Sequence, residues 1–254
     1  MGYSIRKIHP ADPGRNQQGL WSGPVYNEDG LQSVHNHDFL RDPSFCRAYW
    51  RGVAAAGDDY QWHWRVHVGL WAAYSASKLA GDFVECGVNR GFLASAIMEY
   101  LDWDSLNKIF YLLDTFMGLD ENHVSDEERV HGKMEANQQM LKSCFYTTDL
   151  DSVKANFAQW KNIRIIVGSI PDTLDAVMAD KVAYLHLDMN CAPPEVAAFD
   201  YFWERLVPGA FILLDDYAYW TFERQKTAMD RAAAERNLKI VSLPTGQGLL
   251  LKPA

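Results

Sequence analysis

Residues 239–252 read KIVSLPTGQGLLLK, two strand-like runs separated only by Pro244, Thr245, Gly246 and Gln247. Each run has the length and apolar content of a short β-strand. So short a connection cannot make the crossover that joins parallel strands, and it therefore predicts an antiparallel hairpin. The chain is expected to end in a reversed strand.

The runs upstream of this hairpin predict a parallel sheet. Each is short, almost continuously apolar and typical of a strand buried on both faces; they are residues 82–86, 108–113, 163–167, 182–187 and 210–214. The segments between them have helical patterns at 92–101, 193–206 and 222–234. The expected fold is α/β and Rossmann-like, a seven-stranded, mostly parallel sheet with right-handed crossovers. A final reversed strand is the arrangement of class I methyltransferases rather than of ordinary dinucleotide-binding domains.

Length and pattern predict one compact unit with additions. With 254 residues and 48% hydrophobic content, one domain is the expectation. Residues 1–80 are predicted to be an irregular leader and a helical cap, with two helices between 44 and 80, and residues 81–254 the methyltransferase domain. The long segment at about 114–162 is predicted to be a lid, with an ordinary surface insertion as the alternative.

Composition excludes several classes of function. A net charge of −9 without a basic stripe argues against nucleic acid. The N-terminal MGYSIRKIHPADPGRNQQGL has no apolar core of a signal peptide, and no run approaches a membrane span, so a cytoplasmic protein without membrane partners is expected. The four cysteines are scattered, without zinc-ligand spacing. A neutral or cationic small molecule is the expected partner, and the oligomeric state, including a homo-oligomer, is left open.

The first predicted parallel strand runs into a candidate cofactor loop, Glu85-Cys86-Gly87-Val88-Asn89-Arg90-Gly91. Ligands of doubly wound sheets lie at the carboxyl ends of the strands, where glycine lets them approach the backbone. Glu85, Gly87, Asn89 and Gly91 are therefore candidate cofactor-binding residues. The spacing is not GxGxxG, which suits S-adenosylmethionine (SAM), a cofactor without phosphate. A tight structural turn is the alternative.

Further cofactor contacts are predicted after the next two strands. Asp114 ends one strand, where an acid can accept hydrogen bonds from a ribose diol, and Thr115 follows it. Gly168 and Ser169 follow the next strand and could bind an adenine edge, although a plain turn explains them equally well. These positions suit NAD as well as SAM.

Three acids follow the last two parallel strands. Asp188 comes after YLHL, and Asp215 and Asp216 come after AFILL. The carboxyl ends of adjacent parallel strands meet, so these side chains should converge, and their mutual repulsion calls for a cation. With no softer ligands offered, Mg²⁺ is favoured, and Ca²⁺ or Mn²⁺ are alternatives. The other interpretation is that one acid caps a helix and another is solvated.

At this point the chain resembles the macrocin O-methyltransferases of the macrolide and aminocoumarin pathways. The motifs match in order and spacing over residues 79–219: GDFVECGVNRG, LLDTFMGL, HLDMN and LVPGAFILLDDYAY. The resemblance implies a seven-stranded Rossmann-like fold, SAM, and a divalent metal held by Asp188, Asp215 and Asp216. Family members commonly continue the fourth-strand motif as aspartate, glycine, aspartate, where this chain has Asp188-Met189-Asn190. The identity of the acceptor is therefore left open.

The expected activity is methyl transfer to a hydroxyl of a small sugar-like or diol-bearing acceptor. The metal would lower the pKa of a bound hydroxyl, and Asp188, predicted to contact cofactor and metal, is the candidate general base. Arg65 either reaches the carboxylate of SAM or forms a surface ion pair. The alternatives are an NAD-dependent oxidoreductase and a SAM-binding protein without turnover.

Overall fold

The computed structural model describes residues 26–254. Its strands are β1 (Tyr26–Glu28), β2 (Leu31–Ser33), β3 (Asp82–Cys86), β4 (Phe110–Asp114), β5 (Ile163–Val167), β6 (Val182–Leu187), β7 (Leu206–Leu214), β8 (Val241–Ser242) and β9 (Gly248–Leu251). Its α-helices are α1 (Pro43–Ala56), α2 (His63–Ala76), α3 (Phe92–Tyr100), α4 (Asp126–Val130), α5 (Lys133–Lys142), α6 (Leu150–Phe157), α7 (Ala192–Trp203) and α8 (Glu223–Ala234). The leader predicted for residues 1–25 lies outside the described residues.

The central sheet has the order β5-β4-β3-β6-β7-β9-β8. Strands β3 to β7 pair in parallel, whereas β9 runs antiparallel to both β7 and β8. The predicted terminal hairpin and the predicted fold class are therefore confirmed. The strand order reverses between β3 and β6, and a doubly wound sheet opens its ligand crevice at such a reversal.

Both faces of the sheet are covered, which explains the near-continuous apolar strands. On β3 and β6, Phe83 and Tyr184 pack into one core with the helices that precede the sheet, while Val84 and Leu185 pack into the other with α7 and α8. Successive side chains of a strand point to opposite faces, so a strand buried on both faces has no polar alternation. All residues of β6 are buried.

Two strand boundaries differ from the sequence prediction. β4 begins at Phe110 rather than Lys108, whose ammonium group instead donates hydrogen bonds to the carbonyl oxygens of Leu79 and Gly81. β7 begins at Leu206 rather than Ala210, because its Pro-Gly pair lies within the strand where the register with β6 shifts. A proline has no N–H for a strand ladder and is tolerated at such irregularities.

Helix caps explain where the predicted helices begin. The capping box of Ser125 and Glu128 is present at the start of α4. Before α6, Thr148 and Asp151 have capping-box spacing in the sequence, but Asp149 is the N-cap, and its carboxylate accepts a hydrogen bond from the backbone N–H of Ser152. An aspartate three residues before a free N–H satisfies it directly.

The sequence analysis did not predict the short hairpin of β1 and β2. Its turn is Asp29-Gly30, and both residues have positive φ, 50° and 71°. Two left-handed residues are what a type I′ hairpin turn requires, so the Asp-Gly pair was the available signal. In the described part of the chain, no helix combines the length and apolar character that crossing a membrane requires.

Candidate active site

A pocket of about 430 Å³ opens at the carboxyl ends of the parallel strands. Its size falls in the range of roughly 300–1,000 Å³ typical of small-molecule sites. Every site residue predicted from the sequence lines this pocket except Gly91; those that do are Glu85, Gly87, Asn89, Asp114, Thr115, Gly168, Ser169, Asp188, Asp215 and Asp216. The pocket therefore lies at the strand reversal, where the sheet topology places it.

Gly87 joins the cofactor loop to the acid-bearing side of the pocket. Its φ is 91°, and a Cβ at this position would overlap the carbonyl oxygen of Asp188. The N–H of Asp188 donates a 2.8 Å hydrogen bond to the carbonyl oxygen of Cys86. Gly91, with φ of 83°, is the N-cap of α3, and Phe157 fills the space that a Cβ would need. At both positions glycine is required for two reasons: neighbouring atoms leave no room for a Cβ, and the backbone has a positive φ.

Asp114 holds the cofactor loop in place. Its Oδ2 accepts hydrogen bonds of 2.7 Å from the backbone N–H groups of Val88 and Asn89. Its Oδ1 accepts a third, also 2.7 Å, from the N–H of Phe116. A carboxylate offers about four acceptor positions, so one remains for a ribose hydroxyl. Ribose binding by Asp114 stays a prediction, while its role in shaping the loop is a feature that the sequence did not reveal.

Replacing Asp114 with Ala should weaken SAM binding at least about tenfold, because three loop amides lose a charged acceptor and the ribose loses its partner. Isothermal calorimetry with SAM measures the effect. Asp104→Ala is the matched control, since Asp104 also accepts a backbone N–H, that of Lys161, but does not line the pocket. Equal SAM affinity in Asp114→Ala and the wild type would refute the assignment.

Asn89 ties the cofactor loop to the long insertion. Its Nδ2 donates a 3.0 Å hydrogen bond to the carbonyl oxygen of Phe145, and its Oδ1 accepts one of 2.9 Å from the N–H of Thr147. Asn89 has φ of 50°, a left-handed conformation that asparagine tolerates better than most residues. Its amide is thus engaged by the insertion, and direct contact with a cofactor stays a prediction.

The side chains after β4 and β5 are also engaged by the chain itself. The hydroxyl of Thr115 donates to the carbonyl oxygen of Gly118 at 2.6 Å, and that of Ser169 donates to the carboxylate of Asp120 at 2.5 Å. Gly168 donates its N–H to the carbonyl oxygen of Asp114 at 3.0 Å. These contacts shape one end of the pocket, and adenine binding there stays a prediction.

The three predicted acids do converge, and a guanidinium group from α2 lies against two of them. Nη1 of Arg65 donates to Oδ2 of Asp215, and Nη2 lies 3.5 Å from Oδ1 of Asp216. The third side of the guanidinium faces the β1–β2 turn, with Nε 3.1 Å from Oδ2 of Asp29. Arg65 is only 5% exposed. Arg65 therefore forms ion pairs, as one of its two interpretations predicted, but these ion pairs are buried and not at the surface.

The three acids differ in the direction of their pKa shifts: the pKa of Asp215 is lowered, whereas those of Asp216 and Asp188 are raised. Burial alone raises the pKa of Asp215, but the positive charge of Arg65, together with His186 and the hydrogen bond from Gln247, lowers that pKa below its ordinary value. Burial, followed by the charge of Asp215, raises the pKa of Asp216 to about 6. Burial and the charges of Asp215 and Asp216 raise the pKa of Asp188 well above its ordinary value. Arg65 therefore stabilises the charge of Asp215 most.

His186 lies inside the buried strand β6, where a histidine is expected to be a core residue. Its Nδ1 lies 3.7 Å from Oε2 of Glu85, and its Nε2 lies 3.8 Å from Oδ1 of Asp215. Both separations exceed hydrogen-bond length. Burial alone lowers the pKa of His186, but the carboxylates of Asp215 and Glu85 raise it well above its ordinary value. His186 also lines the pocket.

The side chains as arranged do not fit the predicted divalent metal. Both oxygens of Asp215 are engaged, Oδ2 by Arg65 and Oδ1 by Nε2 of Gln247 at 2.9 Å. Among residues 26–254, no group of three or more His, Cys, Asp or Glu side chains has an arrangement suited to a metal ion. Mg²⁺ prefers several unshared oxygen ligands in near-octahedral geometry. The cation between these acids is the guanidinium of Arg65.

The sequence analysis also missed the aromatic lining of the pocket. Tyr60, Trp62, Phe92, Phe145 and Tyr219 all contribute to it. The rings of Tyr219 and Trp62 lie over the guanidinium of Arg65, with ring centroids 4.7 and 5.7 Å from Cζ. Flat apolar faces beside polar groups suit a nucleoside or a sugar ring.

Glu128 connects the insertion to the acid-bearing end of the sheet. Its Oε2 accepts the Ser125 hydroxyl at 2.6 Å, and its Oε1 accepts the N–H of Ala192 at 2.8 Å, where α7 begins. Glu128 is 3% exposed. By contrast, Val153 and Phe157 of α6 pack in the main core. The residues from α6 onward are thus part of the core, and the predicted lid, which stays a prediction, would be confined to the part of the insertion before α6.

Glu128→Ala should increase amide hydrogen exchange in α4 and α5 roughly tenfold, because it removes the capping box and leaves the Ala192 N–H without a partner. Exchange measured by mass spectrometry reports this directly. Glu127→Ala is the matched control. The carboxylate of Glu127, next to Glu128 in the sequence, forms a partly exposed ion pair with Arg224. Unchanged protection in Glu128→Ala would show that this contact does not hold the insertion closed.

The sheet order and the pocket at its strand reversal define a class I methyltransferase fold. The sequence profile of the family described as Macrocin-O-methyltransferase (TylF) matches residues 70–242. The match spans more than half of the chain, and the chain belongs to this family.

Two similar proteins are named for a methyltransferase activity. The 8-demethyl-8-(2,3-dimethoxy-alpha-L-rhamnosyl)-tetracenomycin-C 4'-O-methyltransferase of Streptomyces olivaceus is 29% identical, over 56% of this chain and 55% of its own. The mycinamicin III 3''-O-methyltransferase of Micromonospora griseorubida is 27% identical, over 54% of this chain and 55% of its own. The chain thus spans about half the length of the curated relatives it matches.

Solved structures agree with the fold. The O-methyltransferase NovP superposes with a TM-score of 0.64 at 19% identity, covering 75% of this chain and 80% of NovP. The calicheamicin methyltransferase CalS11 superposes with a TM-score of 0.54 at 15% identity, covering 86% of this chain and 94% of CalS11. At these identities the likeness establishes the fold alone.

Proposed function

We propose that this chain is a SAM-dependent O-methyltransferase that methylates a hydroxyl of a small, sugar-containing or diol-bearing acceptor. The observation that carries the proposal is the packing of Gly87 against the backbone of Asp188. It places the candidate cofactor loop and the candidate base on one wall of the pocket. A methyl donor bound at the loop and a hydroxyl bound at Asp188 would then be neighbours, as direct transfer requires.

The proposed reaction is a direct displacement. The acceptor oxygen forms a bond to the methyl carbon as the bond from that carbon to the sulfonium sulfur breaks, and S-adenosylhomocysteine leaves. Asp188 takes the hydroxyl proton as general base. The aromatic side chains hold the acceptor, and the insertion before α6 closes over it to exclude water.

The activities for which the two relatives are named support the acceptor class. One acts at the 4'-oxygen of a rhamnosyl-bearing tetracenomycin, and the other at the 3''-oxygen of mycinamicin III. The aromatic lining of the pocket is compatible with such a sugar ring. We extend only the class, a small hydroxyl-bearing natural product, to this chain.

The predicted Mg²⁺ has no part in the proposed mechanism. Two of the three carboxylates that would hold it are engaged instead: Asp215 contacts Arg65 and Gln247, and Asp216 contacts Arg65. The two other functions considered from the sequence can be distinguished from methyl transfer. A dehydrogenase is disfavoured by the antiparallel β9 and by a loop that lacks GxGxxG. A SAM-binding protein without turnover would bind the cofactor and transfer nothing.

Incubation with SAM carrying a radiolabelled methyl group tests the proposal, with a panel of rhamnosides that have free or blocked hydroxyls. We expect label in the acceptors with free hydroxyls only. Tighter binding of NAD than of SAM, measured by calorimetry, would refute the cofactor assignment. SAM binding without transfer to any member of the panel would favour the protein without turnover.

A further inference from the structure

Four aspartates surround the pocket end of α2, and a single guanidinium contacts three of them. Asp29, Asp215 and Asp216 each lie against a different nitrogen of Arg65. Asp188 has no ion pair with it in the described residues, and its recorded side-chain contact is a 3.3 Å hydrogen bond from Nδ2 of Asn190. Arg65 thus divides the cluster into three acids that it contacts and one, Asp188, that lines the pocket without an ion pair to it.

The guanidinium is held rigidly in this position. Its side chain is 6% exposed, and the planar fork presents its donors in fixed directions. The rings of Tyr219 and Trp62 cover it, so rotation out of the cluster would require both rings to move. The Arg65 contacts join three distant parts of the chain: the β1–β2 turn, α2 and the end of β7.

A divalent ion would compete with this arrangement at high cost. It would need carboxylate oxygens that already accept hydrogen bonds, and it would lie within a few ångströms of a fixed positive charge. Removing Arg65 from its partners would leave a buried cation without compensation, which is strongly destabilising. A guanidinium is always charged, so the neutralisation does not depend on metal supply.

We infer that Arg65 is a built-in cation that takes the place of a divalent metal among Asp29, Asp215 and Asp216. The site then binds the acceptor without a metal ion, and Asp188 stays free to receive the hydroxyl proton. This last consequence rests on the proposed function, whereas the exclusion of metal does not. The β1–β2 turn becomes part of the active site, because Asp29 fixes one side of the guanidinium.

Titration with Mn²⁺, followed by electron paramagnetic resonance, tests the inference without any turnover. The wild type should bind no Mn²⁺ at the acids. Arg65→Met, which keeps a long apolar stem beneath the two rings, should gain Mn²⁺ binding at the acids, because its carboxylates have lost their cation. The matched control is Arg51→Met: the half-buried Arg51 donates to the carbonyl oxygen of Asn156, away from the acids, and this variant should behave as the wild type.

Several outcomes would overturn the inference. One is Mn²⁺ binding by the wild type that Asp215→Asn abolishes. Another is a folded Arg65→Met that gains no affinity for Mn²⁺. If Arg65→Met does not fold, Arg65→Lys is the deciding variant. A lysine keeps the positive charge and should still exclude Mn²⁺, so Mn²⁺ binding by Arg65→Lys would contradict the inference. A failure of methyl transfer alone, with these metal results as expected, would refute the proposed function and leave the inference standing.

Discussion

Asp188→Asn should lower the rate of methyl transfer by about 10²–10⁴-fold while leaving SAM affinity unchanged. Asparagine has nearly the same shape but cannot accept the hydroxyl proton. The Asp188 side chain is the one carboxylate of the three predicted acids without a contact to Arg65 or Gln247 in the described residues, so its loss leaves the ion pairs intact. Single-turnover kinetics with saturating SAM measures the chemical step.

A control variant and a measurement of thermal stability accompany this prediction. Asp200→Asn should retain the wild-type rate, because Asp200 lies on α7 in a partly exposed ion pair with Arg236. Asp188→Asn should also melt at a temperature no lower than the wild type, since it removes a carboxyl group whose charged form is disfavoured by burial and by Asp215 and Asp216. An unchanged single-turnover rate would eliminate Asp188 as the base and direct attention to another group of the pocket.

Gly87→Ala should abolish measurable SAM binding and reduce the free energy of unfolding by about 2–5 kcal/mol. The methyl group would meet the carbonyl oxygen of Asp188, and the φ of 91° is unfavourable for alanine. Relief of the overlap must separate the end of β3 from the end of β6. Because both the cofactor loop and Asp188 lie there, the displacement reaches both halves of the pocket. Denaturant unfolding and calorimetry measure the two effects.

The chain offers a control for backbone conformation alone. Gly57 also has a left-handed φ, 75°, at the end of α1, but nothing lies within 4 Å of a Cβ placed there. Gly57→Ala should therefore cost about 1–2 kcal/mol and leave SAM affinity unchanged. Equal losses of stability in the two variants, with SAM binding retained in both, would show that the contact between Gly87 and Asp188 is not essential.

The connection between the long insertion and the cofactor loop has a functional consequence. Asn89 bonds to Phe145 and Thr147 at one end of the insertion, and Glu128 bonds to Ala192 beside the acids at the other. Cofactor binding at the loop would thus stiffen the insertion, and closure of the insertion would in turn order the loop. Such coupling would let an acceptor be enclosed only when the methyl donor is present.

The sequence by itself determined the sheet and the positions of its strand ends. Apolar runs buried on both faces and a connection too short for a crossover are local patterns, and they identified the parallel strands and the reversed β9. Once the strands are assigned, topology alone brings Asp188, Asp215 and Asp216 to one edge, which is why their convergence was predictable. The same reasoning placed Gly87 at the strand reversal.

Only the tertiary structure decided what neutralises those acids. Arg65 lies on a helix that precedes the sheet, and Asp29 lies in a hairpin before that helix, so both are distant in sequence from Asp215. No periodicity records which of several arginines turns inward or which carboxylates it meets. The sequence showed that a cation was needed, from the repulsion between carboxylates, but not that the chain supplies one itself. That choice depends on how α2 and the β1–β2 turn pack over the sheet, which is a matter of long-range contacts rather than of local pattern.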